Sequence, residues 1–109
     1  MSKVLNSSNK MSVEQAVNKI TDAYLEYLCE AALGWLRLKK VNVTIEKKKL
    51  IIESVIDKFE NFLGYFIRSN SLTKEELQSA VSSIISMHDS YKKFLAVAFV
   101  KSSLPTIIS

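Results

Sequence analysis

Between Ile52 and Phe66 the apolar residues return every three or four positions: Ile52, Val55/Ile56, Phe59, Phe62/Leu63 and Phe66. That period matches the turn of an α-helix and not the two-residue repeat of a strand. A helix with one apolar side must bury that side against something. This segment therefore demands a packed partner, and two further segments supply the same rhythm. Val13, Val17, Ile20, Tyr24, Tyr27/Leu28, Ala31, Trp35 and Leu38 form one stripe. Leu77, Val81, Ile84, His88, Tyr91, Leu95 and Ala98 form the other. With 2 glycines and 1 proline in 109 residues, the chain has too few turn formers for an all-β fold.

Start and stop signals divide the chain at the same places. Ser12-Val13-Glu14-Gln15 reads as a capping box, with the Ser12 hydroxyl taking the Gln15 amide and the Gln15 side chain reaching back. The first helix should run to about residue 39, where Arg37, Lys39 and Lys40 suit the negative end of its dipole. The β-branched Val41, Val43 and Thr44 interrupt the pattern, and Thr44 can cap a second helix to about Ser69. Thr73 and Glu76 form another box at the head of a third helix, which Pro105 should stop by about Ser103.

Three helices of similar length joined by short loops predict an all-α fold: an antiparallel up-down-up bundle over about 12–39, 45–69 and 74–103. Three helices leave apolar positions uncovered, so oligomerisation is the expected means of completing the bundle. Residues 1–11 are polar and expected to be a flexible arm, and 12–109 one helical-bundle domain.

Several function classes fall away on residue chemistry. Cys29 is the single cysteine, so no internal disulfide and no Cys-based zinc site can form. The first ten residues hold no apolar targeting core, and the longest charge-free apolar stretch, Phe94 to Val100, is too short to span a bilayer. A cytoplasmic location is expected, which leaves the sequon at Asn42 unused. The acidic stripes Asp22/Glu26/Glu30 and Glu53/Asp57/Glu60 could suggest a metal site inside a bundle. Such a site needs Glu-x-x-His pairs, whereas the one histidine, His88, follows Ile85 at that spacing. Cys29 and His88 could meet across the bundle as nucleophile and base. Long helices offer no free amides for an oxyanion hole, so a core cysteine and a hydrogen-bonded histidine are expected instead. No phosphate-binding loop or nucleophile elbow is present. The expectation is a protein that is not an enzyme, with no cofactor, no metal and no small-molecule substrate.

What remains is surface. The net charge is +4, and six of the 15 Lys and Arg residues lie between Arg37 and Lys49: Arg37, Lys39, Lys40, Lys47, Lys48 and Lys49. The last three sit in the first turn of a helix, where positive charge opposes the dipole. These six are the candidate contacts for an anion or nucleic acid. In an up-down-up bundle the same end gathers an apolar set, namely Trp35, Leu36 and Leu38 from the first helix and Phe94, Val97, Phe99 and Val100 from the third. A helix apolar on all sides needs cover on all sides, and these seven are the candidate protein interface. Ser79, Ser82, Ser83, Ser86 and Ser90 form a small-residue face on the third helix, read as solvent-exposed. The sequence thus points to a non-enzymatic interaction or assembly protein that forms a homo-oligomer or binds a protein partner. A nucleic-acid binder using the basic end is the alternative, and association with an anionic membrane surface the second alternative.

Overall fold

The computed structural model describes residues 11–108. Four helices make up its regular structure: α1 (Val13–Leu38), α2 (Ile45–Ser69), α3 (Lys74–Ile85) and α4 (Asp89–Ile108). The arm expected over residues 1–11 lies outside the described residues except for Met11, which packs against the core.

The helix starts follow the caps. Ser12 Oγ accepts from the Gln15 amide at 3.1 Å, and Gln15 Oε1 accepts from the Ser12 amide at 2.9 Å. Thr73 and Glu76 repeat the arrangement at 3.1 and 2.9 Å. Thr44 Oγ1 takes the Lys47 amide at 3.1 Å. Each bond satisfies an amide that the helix itself leaves unpaired. The turn after α1 closes in a Schellman motif: the Lys40 amide donates to the Arg37 carbonyl at 3.0 Å and the Val41 amide to the Leu36 carbonyl at 2.9 Å. That motif requires a left-handed residue, and Lys40 supplies it at φ 56°.

The third long helix is corrected to two shorter ones, so the three-helix bundle is in fact a four-helix arrangement. The break falls at Ser86–His88. His88 Nδ1 accepts from the Ser90 amide at 3.1 Å and lies 2.9 Å from Ser90 Oγ, so the imidazole caps the start of α4. Apolar spacing runs through this point without a gap, which is why periodicity alone predicted one helix. The physical signal is the run Ser86, His88, Asp89 and Ser90, whose short polar side chains compete with helix hydrogen bonding. The break also re-aims the chain. α3 buries Leu77 and Val81, but α4 buries Ala96, Val100, Ser103 and Leu104. Leu95 and Ala98, expected in the core, face solvent.

Pro105 does not end the last helix, which continues to Ile108. The proline lacks one donor near the helix end, while Leu104 is fully buried and Ile107 and Ile108 pack on the core. Burying a side chain such as Leu104 contributes about 1.5–3 kcal/mol, enough to offset one missing hydrogen bond in a terminal turn.

α1 is the central helix and touches α2, α3 and α4, and α4 also packs against α2. Its buried row is Ala16, Val17, Ile20, Tyr24, Leu28, Ala32 and Leu36. α1 and α2 are antiparallel: Glu14, Val17 and Asn18 share a hollow with Glu60, Asn61, Gly64 and Arg68, and Arg37 shares another with Lys48. Tyr24 meets Phe59 with ring centroids 5.8 Å apart, and Phe59 meets Phe99 of α4 edge-on at 5.2 Å. The described chain measures 54 × 26 × 25 Å.

Candidate functional site

α4 is apolar on both of its sides. Its inner row fills the core, while its outer ridge carries Tyr91, Phe94, Leu95 and Ala98 at helical spacing. Phe94 is 69% exposed, Tyr91 63% and Leu95 44%. No charged side chain interrupts that ridge. On one flank lies a hollow of about 460 Å³, walled by Ala31, Gly34, Trp35 and Leu38 of α1 and by Val97 and Val100 of α4. Glu30, Lys39 and Lys101 fringe it. The Lys39 ammonium sits 5.9 Å from the centre of the Trp35 ring, a cation–π contact.

The other flank is aromatic. Phe66 stacks on Phe62 at 6.1 Å, Phe62 meets Phe99 at 6.0 Å, and Phe99 leads inward to Phe59. Tyr65, Lys58 and Thr106 border the same side. Phe62, Tyr65, Phe66, Tyr91 and Phe94 are each more than half exposed. At about 200 Å² per ring, they leave roughly 600 Å² of aromatic surface in water. Leu38, Leu95 and Val97 add exposed apolar surface, Leu38 and Val97 on the flank of the Trp35 hollow.

The structure distributes the sequence-predicted interface residues unevenly. Leu38, Phe94 and Val97 are exposed, and Trp35 lines the hollow half-buried. Phe99 is half-buried in the aromatic row. Leu36 and Val100, at 2% and 1% exposure, belong to the core and offer a partner almost no surface. Phe62, Tyr65, Phe66, Tyr91 and Leu95 were not singled out as surface. The available signal was the doubled α2 stripe, which is wider than one neighbouring helix can cover.

The basic residues also divide. Arg37, Lys40 and Lys48 line a hollow of about 570 Å³ at the α1–α2 turn, together with Leu33, Leu36, Val41, Asn42 and Val43. Lys39 turns away to Trp35. Lys47, in the first turn of α2, and Lys49, in its second, are exposed and do not line the hollow. α4 approaches the end of α1 at Val97, Val100 and Lys101, which share a hollow with Trp35, Leu38 and Lys39, while Thr106 further along lies near Lys58, Asn61 and Tyr65, in the second half of α2.

The reactive groups are occupied structurally. Burial pushes the Cys29 thiol above its ordinary range, and the neighbouring Glu30 charge adds to the shift. The nucleophilic thiolate is correspondingly scarce at neutral pH. Tyr27 donates a hydrogen bond to Asp89 at the head of α4, and this bond, with burial and nearby acidic charge, raises its pKa. Burial likewise raises Tyr24, whose hydroxyl meets Met87 Sδ at 3.5 Å. Among the described residues no cluster of three metal-ligating side chains occurs, and no helix is long and apolar enough to cross a membrane. The chain matches no family model, no curated protein and no solved structure.

Proposed function

We propose that this chain is a non-enzymatic helical interaction protein that pairs with a second copy of itself through the outer face of α4. The observation that carries the reading is the uncharged, exposed ridge of Tyr91, Phe94 and Leu95 beside the aromatic row of Phe62 and Phe66. Together these five side chains expose roughly 550 Å², at the upper end of the apolar patches found on monomers, which are often functional. Buried aromatic side chains are the usual anchors of such contacts. Lys92, Lys93 and Lys101 lie outside the ridge, where water and salt screen like charges between copies.

Light scattering at tens of micromolar tests the reading. The expected result is a mass of at least twice 12.3 kDa. Phe94→Asp should return the mass to one chain with unchanged helical circular dichroism, because Phe94 contributes little to the core. A wild-type protein that stays monomeric across that range would rule out self-association and leave the same face to a different protein partner.

A further inference from the structure

We infer that the hollow at the α1–α2 turn is a binding site for a phosphate group, independent of the α4 face. Three cationic side chains, Arg37, Lys40 and Lys48, line it, and no carboxylate is among its lining residues. The side-chain amide of Asn42 adds a donor. Leu33, Val41 and Val43 form apolar walls, which weaken the competition of water for a bound anion. The start of α2 stands beside the hollow, and its dipole has the same positive sign.

Lys40 supplies a separate observation. It occupies the left-handed position of the Schellman motif at φ 56°, where glycine is the residue free of strain. The turn itself needs no side chain there. A lysine at this point accepts backbone strain and adds a third cationic residue to the lining of the hollow. Arg37, in the last turn of α1, offers the planar fork that matches two phosphate oxygens. The chemistry named is the phosphate, carried either on a free phosphate compound or in a nucleic-acid backbone.

The backbone strain makes the test decisive, because one substitution moves two readouts in opposite directions. Lys40→Gly should raise Tm by a few degrees, since it relieves the left-handed lysine. It should also weaken binding of inorganic pyrophosphate about tenfold, the loss of one charge-assisted hydrogen bond. Arg37→Ala should weaken it by at least as much. Amide shifts in a pyrophosphate titration of the full chain should saturate and centre on Lys40 to Val43. A mixed-sequence DNA or RNA duplex that displaces pyrophosphate assigns the phosphate to a nucleic-acid backbone, whereas pyrophosphate binding without such displacement assigns it to a free compound. Shifts spread evenly over all exposed lysines, or a Lys40→Gly protein that binds as tightly as wild type, would overturn the site.

Discussion

Thr21 sits inside the α1 row with 4% of its surface exposed, and its hydroxyl oxygen has no hydrogen-bond partner among the described residues. A buried hydroxyl left unpaired loses its hydration without compensation. Thr21→Val keeps the shape and removes the polar atom, so it should stabilise the fold by about 1 kcal/mol in a urea titration. A loss of stability would mean that the hydroxyl has a partner after all. The two positive-φ positions among the described residues, Lys40 and Ser71, raise a similar question. A non-glycine residue there is disfavoured by roughly 1 kcal/mol, and both close the turn after a helix. Ser71→Gly should therefore also stabilise, with no effect on anion binding, and it is the natural control for Lys40→Gly.

The helices show where sequence reasoning holds and where it stops. Capping is local chemistry: a Ser or Thr with a partner three residues on can be read directly, and the starts at Ser12, Thr44 and Thr73 follow from it. The division of the third helix is different. Ile84, His88 and Tyr91 keep helical spacing across the break, so apolar period carries no record of it. The polar run Ser86 to Ser90 carries it instead, and the imidazole of His88, bonded to the Ser90 amide, marks where the new helix begins. Pro105 misleads for a related reason. Propensity would end the helix, but tertiary burial of Leu104 and Ile107 overrides it. The penalty remains in the folded state, and the exposed ring makes no core contact that alanine would lose. Pro105→Ala should thus stabilise α4 by about 1–2 kcal/mol, less than the full interior cost because the position is near the helix end and proline also restricts the unfolded chain. Thermal unfolding of the two proteins checks it, and a lower Tm for the variant would refute it.

The candidate site was only partly legible for a reason that belongs to the whole molecule. A stripe of apolar residues tells that a helix buries one side; it does not tell how much of that side its own chain can cover. Phe59 and Phe66 belong to one stripe, yet Phe59 is 7% exposed and Phe66 53%. Where α4 crosses decides between them, and that crossing depends on the His88 break. Phe59→Ala should cost about 3–5 kcal/mol whatever the oligomeric state, as a cavity in the core. Phe66→Ser should cost a single chain about 1–2 kcal/mol, well below Phe59→Ala, because half of its ring is already in water. If α4 and the aromatic row form the contact between copies, folding and pairing are linked, and Tm of the wild type must rise with protein concentration. Phe66→Ser should weaken that rise and Phe94→Asp should abolish it, while Phe59→Ala should lower Tm at every concentration and keep the slope. A wild-type Tm that is flat over a hundredfold dilution from the micromolar range would separate the aromatic surface from self-association. In that case the same face would have to be assigned to a partner of different sequence.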